Sequence, residues 1–224
     1  MQAFPETNLV HLCGSIAAAP QYSHTSRGQD FFRMPLEVLR LSGTADRLNL
    51  ILRREQLAHT PLDECTRLAV TGELRSFNNR REEGPKLVLT VFVRELGFTD
   101  EPDRNLVRLR GALCREPRLR RTPLGREIAD LMLAVNRPYG RSDYLPVICW
   151  GALARRASLW STGQRLMLEG RLQSRDYTKL TESGPLRRTA FEVSAMEIEE
   201  ERMDTSFAED LDEGQFSSYV NLRR

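Results

Sequence analysis

A segment near the start of this 224-residue chain returns, altered but recognisable, 97 residues later. "NLVHLCGSIAAAPQYSHTSRG" at 8–28 lies over "NLVRLRGALCREPRLRRTPLG" at 105–125, matching Asn8 with Asn105, Gly14 with Gly111, Pro20 with Pro117 and Gly28 with Gly125. "VTGELRS" at 70–76 matches "LEGRLQS" at 168–174, and "EEGPKL" at 82–87 matches "TESGPLR" at 181–187 around its Gly-Pro. Anchors in constant order over this length define a tandem of two copies of one unit. The spacing predicts a first domain over 1–100, a second over 105–198, and an acidic tail over 199–224. The polar, Pro-containing "TDEPDRN" at 99–105 joins the copies. Each copy then needs its own core, and a 40% hydrophobic composition supplies enough apolar side chains for two.

Within the second copy the dominant period is two. Val107 and Leu109 alternate with Arg108 and Arg110, and Leu131, Leu133 and Val135 share one face of "EIADLMLAVNR". This is the pattern of half-buried strands. "YLPVICWG" (144–151) reads as a third strand. "ALARRASLWSTG" (152–163) spaces Leu153, Ala157 and Trp160 as a helix does and stops at Gly163. "QRLMLEGRLQS" (164–174) and "RTAFEVSAMEI" (188–198) complete five strands. Three strands, one helix and two strands give the order of an OB-fold, a five-stranded Greek-key barrel. The expected class is therefore all-β, with one short helix per domain and two OB-folds in tandem. A generic small barrel of the same element order is the structural alternative. Gly111 and Gly170, inside strands, permit the tight bends of a small barrel.

The formal charge of +2 hides an asymmetry. Residues 105–195 hold seventeen Arg/Lys against eight Asp/Glu, a net of +9, whereas 196–213 hold nine acidic residues against Arg202, a net of −8. Residues 8–100 are near neutral, with twelve basic and eleven acidic side chains. A basic body beside an acidic tail fits a nucleic-acid partner. Only Lys86 and Lys179 are lysines. Arginine stacks on planar rings and forks onto phosphate in ways lysine does not, although arginine-rich codon usage gives the same bias. The start "MQAFPETNLVHLCG" lacks the pattern of a signal peptide, and no stretch approaches a membrane span. Cys13, Cys65, Cys114 and Cys149 form no C-x-x-C pair, which suits reduced, buried thiols in a cytoplasmic protein better than a disulfide frame or a zinc site.

"NLVRLRGALCREPRLRRTPLGREIADLMLAVNRPYG", "DYLPVICWGALA" and "GQRLMLEGRLQSRDY" together make the second copy resemble the bacterial single-stranded DNA-binding protein family. The likeness is close over 105–198 and looser over 8–98. It implies an OB-fold that holds single-stranded DNA without base preference, in assemblies of four OB domains. A two-domain chain would reach that number as a homodimer. The resemblance also implies base stacking at four places, where this chain has Tyr139, Tyr144, Trp150 and Tyr177. Unpaired bases expose π-faces that flat side chains cover irrespective of sequence. Taken singly, each ring has the competing reading of core or interface packing. Trp160 is expected to pack in the core.

Arg118, Arg120, Arg121 and Arg126 in the first loop are candidates for the phosphates, with Arg137, Arg141, Arg155, Arg156, Arg175, Lys179, Arg187 and Arg188 elsewhere in the second copy. Binding through them should weaken with salt.

At the matching places the first copy has Ser42, Arg47, Arg53 and Asn79, with no ring. Phe77 and the pair Phe31–Phe32 are its nearest aromatics, the pair being expected in the core. Arg53 and Arg54, with Arg75, Arg80 and Arg81, remain candidates for backbone contact. Either the second domain holds the strand while the first supports assembly, or both bind, with arginine stacking in place of rings. The ending "EIEEERMDTSFAEDLDEGQFSSYVNLRR" lacks the linker and aromatic tip that the resemblance implies for recruiting replication and repair proteins. No catalytic or metal-binding set is found: His11, His24 and His59 lack ligand spacing, and no nucleotide-binding or hydrolase motif occurs, so neither enzyme activity nor a cofactor is expected. The alternative is an OB-fold adaptor, similar to primosomal proteins, that has given up the single strand.

Overall fold

A computed structural model describes residues 7–58, 63, 65–79, 87–137, 140–181 and 184–201, the side chains of 58 and 179–181 excepted. The first half comprises β1 (Asn8–Ile16), β2 (Gln21–Ser26), β3 (Gln29–Leu39), β4 (Ala45–Arg53), α1 (Arg54–Ala58), β5 (Arg67–Asn78) and β6 (Leu87–Phe98). The second repeats the order as β7 (Arg104–Leu113), β8 (Arg118–Arg121), β9 (Glu127–Arg137), β10 (Arg141–Trp150), α2 (Gly151–Ala157), β11 (Arg165–Thr181) and β12 (Gly184–Glu200).

Each half closes on itself. In the first, β1 pairs with β3, β3 with β4, β4 in parallel with β6, β6 with β5, and β5 with β1. In the second, β7, β9, β10, β12 and β11 form the same ring. These are five-stranded OB barrels, and β2 and β8 each add a sixth strand outside the ring. The alternation of the sequence explains the inside. Leu131, Leu133 and Val135 of β9 face Leu145, Val147 and Cys149 of β10, all at most 2% exposed.

Two devices recur in both barrels. The side chain of Asn8 bonds the Leu74 backbone in both directions, at 2.7 and 2.8 Å, and Asn105 does the same to Leu172 at 2.7 and 2.9 Å. Each asparagine extends the ladder beside a register shift, at Thr71/Gly72 or Glu169/Gly170. Strand crossings come too close for a side chain at the paired glycines: a Cβ on Gly14 would lie 2.3 Å from the Glu37 carbonyl, and one on Gly111 2.3 Å from that of Ala134. Glycine is required there for space.

The barrels are joined by antiparallel pairing of β1 with β7, from Asn8↔Leu109 to Cys13↔Arg104, which makes one continuous twelve-stranded sheet. The segment between the halves is held down. Arg67 reaches Asp103 at 2.7 Å, and the Leu39 amide donates to the same carboxylate at 2.5 Å.

Several local expectations need correction. α2 ends at Ala157, where Leu159 N and Trp160 N bond back only three residues, a tighter turn than the α-helix expected to Gly163. Trp160 is nonetheless buried, its Nε1 donating to Glu200 at 2.7 Å. Arg118, Arg120 and Arg121 belong to a strand rather than a loop. β11 runs on past Ser174 to Thr181, so Tyr177 lies within it. Cys13 and Cys149 are buried, but Cys65 is exposed and Cys114 half-buried, because the turn before β5 and the strand end after β7 leave them at the surface.

Candidate nucleic-acid interface

Strand geometry decides where the rings point. On β10 the odd positions from Asp143 to Cys149 are all buried inside, so Tyr144, Pro146, Ile148 and Trp150 share the outer face. Tyr144 is 53% and Trp150 38% exposed, whereas Ile148 beside them is 4% exposed. On β11, Leu172 points into the core, which turns Arg171, Gln173, Arg175 and Tyr177 outward. Tyr177 is half-buried, with the Arg175 guanidinium 5.8 Å from its ring centre. The rings of Tyr144 and Trp150 thus lie on the outer surface of the barrel and Tyr177 on the β11–β12 ribbon that extends from it, and none takes part in the core. Tyr139 lies outside the described residues.

Trp150 opens onto a groove of about 780 Å³ floored by Ile128 and Ile148 and edged by Arg120, Arg126, Arg171 and Arg175, with Glu192 as well. The other barrel contributes Arg40 and Thr44 to its rim. A second cleft, of about 830 Å³, lies between the barrels and brings Arg187 and Arg188 of β12 together with Arg33 and Arg47 of the first half. Among the described residues Asp176 is the single carboxylate lining it, and it lies 3.8 Å from Arg187. The Arg188 Nε is buried without a hydrogen-bond partner among the described residues.

The remaining arginines divide by what they already hold. Arg118, Arg126 and Arg141 are exposed. Arg120 forks onto Asp130 at 2.5 and 3.0 Å, while Arg121 and Arg155 both reach Glu127, at 3.4 and 2.5 Å. Bonding by Arg155 is the main reason the Glu127 carboxyl is held below the ordinary range. Arg156 donates to the Ile198 carbonyl and lies 5.7 Å from the Trp160 ring, a packing position. The Lys179 side chain is outside the described residues. In the first half Arg54 pairs with Asp30 at 2.7 Å, and Arg53 lies 5.4 Å from the Phe92 ring.

Arg137 has a structural partner. Its guanidinium forks onto Asp143, which is fully buried and also accepts from Ser76 N of the first barrel at 2.5 Å. Burial pushes the Asp143 carboxyl up, but the bonds from Arg137 and Ser76, the charge of Arg137 and the bond from Arg75 outweigh it, leaving a net depression. The mirror-related contact exists too: Arg40 forks onto buried Asp46 at 2.7 and 2.5 Å, and Asp46 accepts from Ser174 N at 2.8 Å. Tyr144 N donates to Ser76 Oγ at 2.8 Å, and Arg47 N to Ser174 Oγ at 3.1 Å. The candidate ring Tyr144 and the cleft residue Arg47 are therefore anchored by equivalent crossings between the barrels.

Sequence reasoning missed Arg33, Arg40 and Arg171 as members of these grooves. Arg33 is legible as an outward residue opposite Met34, but its neighbours across the cleft come from the other half. Among the described residues no group of three or more His, Cys, Asp or Glu side chains is placed to hold a metal ion, and no helix is long and apolar enough to cross a membrane.

The single-strand binding protein family model matches residues 104–200. A single-stranded DNA-binding protein of Thermus thermophilus is 29% identical over 222 residues, covering 86% of this chain and 82% of that one. A single-stranded DNA-binding protein of Halalkalibacterium halodurans is 36% identical over 80 residues, of which the chain spans only 48% of that relative's length. Among solved structures, the wild-type single-stranded DNA binding protein from Thermus aquaticus superposes with a TM-score of 0.69 at 26% identity, over 88% of this chain and 93% of that one.

Proposed function

The chain belongs to the single-strand binding protein family as a member with two OB domains, and from that premise we propose that it binds single-stranded DNA without sequence preference. Residues 1–100 and 105–198 would be the two binding units and 199–224 a tail. One observation carries the reading: Tyr144 and Trp150 occupy the outer face of a barrel whose groove is edged with arginine, and Tyr177 lies on the ribbon that extends from it. Each ring offers a flat apolar surface to a base. In single-strand binding proteins such stacking is worth about 1–3 kcal/mol per base and tolerates any base. Exposed Arg118, Arg126 and Arg141, with the inter-barrel cleft, would follow the phosphates. Coating of this kind protects exposed strands in replication, recombination or repair, and two chains would supply four OB domains.

A second reading, an adaptor that no longer binds the strand, is favoured by the carboxylates already attached to Arg120, Arg121, Arg137 and Arg155. Titration with oligo-dT at two salt concentrations, following tryptophan emission, separates the two. The binder quenches, with an affinity that falls as salt rises. Unchanged emission at micromolar protein, with no shift in a parallel mobility assay, overturns the proposal and supports the adaptor.

A further inference from the structure

The first barrel has a groove where the Trp150 groove lies in the second. Its volume is about 890 Å³, and most of its lining positions match lining positions of the other groove. Ile51 replaces Ile148, as the parallel pair Ile51↔Phe92 replaces Ile148↔Ser194. Arg75 and Ser76 replace Gln173 and Ser174, and Arg137 and Arg141 enter from the opposite barrel as Arg40 and Thr44 do in the other groove.

The rings, however, have moved. Where the second barrel has Trp150, the first has Arg53, and its guanidinium covers Phe92 one strand away, at 5.4 Å. Phe92 leans on Phe31 at 5.8 Å, and His24 stacks on Phe31 at 5.0 Å with 14° between planes. Phe77, which also lines the groove, is 52% exposed. Among the described residues no carboxylate lines it, whereas Arg27 and Arg141 do. Arg27 has a φ of +51°, a left-handed conformation that a non-glycine residue rarely adopts, and it precedes Gly28 in the tight turn between β2 and β3.

We propose that this groove is a second seat for unpaired nucleobases, which stack on Phe77 and on His24 and Phe92, both backed by buried Phe31, while Arg27 and Arg141 take the flanking phosphates. The inference rests on the binding function proposed above. An apolar planar floor and a rim that, among the described residues, is cationic and without carboxylates together match a base and its phosphates better than an apolar peptide, which has no use for the arginines. The first barrel is then a binder with relocated rings, and the absence of aromatics at Ser42, Arg47, Arg53 and Asn79 does not make it a mere support.

Photocrosslinking tests this on the full chain. An oligo-dT of about 32 nucleotides, long enough for two OB sites, carries 5-iodo-deoxyuridine, and crosslinked peptides are mapped by mass spectrometry. Crosslinks are expected at peptides containing Phe77 or His24 as well as at those containing Tyr144 or Trp150. Crosslinks confined to the second barrel overturn the inference and leave the parent reading intact, while none anywhere sinks both. As a companion, the His24→Ala/Phe77→Ala variant should lose about 5- to 100-fold in affinity for this oligomer, with Trp150 quenching by a short oligomer unchanged. Unaltered affinity for the long oligomer overturns the inference.

Discussion

Asp143 on β10 and Ser76 on β5 meet across the two barrels, the Ser76 amide donating to the buried carboxylate at 2.5 Å. Arg137 supplies the counter-charge from the same barrel as Asp143, and Arg75 adds a bond at 3.2 Å from the other. Since Asp46 and Ser174 repeat the contact, the relative placement of the barrels is fixed at two points.

Replacing Asp143 with Ala leaves the Arg137 guanidinium without its carboxylate, facing Arg75, which keeps Glu73. Removing one partner of a buried ion pair costs about 3–5 kcal/mol, so Asp143→Ala should melt well below the wild type in a thermal scan. Because the folded carboxyl titrates below its unfolded value of about 3.9, its stabilisation is present above that pH and is lost as pH falls through the folded value. Wild-type stability should therefore drop more steeply in acid than that of Asp143→Asn.

Trp150 has a different role: its exposed ring contributes little to the core. Trp150→Ala is expected to keep the wild-type melting temperature within a few degrees and to weaken oligo-dT binding by about 1–3 kcal/mol. A calorimetric thermal scan reads the melting temperature and calorimetric titration the affinity, since the reporter tryptophan is gone.

The cleft between the barrels gives a prediction about salt. Each phosphate contact on a single strand adds about 0.7 to the slope of log affinity against log salt. Arg33→Gln/Arg47→Gln, at two of its lining positions, should flatten that slope by roughly one unit or more and weaken all sequences alike.

Thiol chemistry checks the fold without DNA. Burial pushes the Cys149 thiol up to about 12, and Cys13 is raised first by burial and then by Glu101. Cys65 is exposed. Ellman's reagent should modify Cys65 first in the native protein and reach Cys149 only on unfolding.

Much of the fold is legible because both copies solve the same geometric problems with the same residues. Asn8 and Asn105, or Gly14 and Gly111, serve one strand crossing each, so their constant spacing announces a repeated barrel. The interface is less legible. Arg137 reads as a free cation in one dimension, and only the approach of Ser76 from the other barrel shows why Asp143 is buried and holds it. The β11–β12 hairpin past Ser174 is invisible to periodicity, because the ribbon there extends from the barrel and Arg175, Asp176 and Thr178 are exposed in succession around half-buried Tyr177, with no buried face to impose alternation. Rings shifted from one strand to its neighbour, as from the β4 end to Phe92, escape any position-by-position comparison.

The β1–β7 seam has a consequence for making half-molecules. Each of these strands is at once a barrel wall and, among the described residues, the cover for its neighbour's outward amides and carbonyls between Asn8 and Cys13 or Arg104 and Leu109. Severed from its twin, either barrel would present a bare hydrogen-bonding edge, which invites self-association. Expressed alone, a half would tend to pair with a second copy of itself, rebuilding from two polypeptides the join that here is made within one.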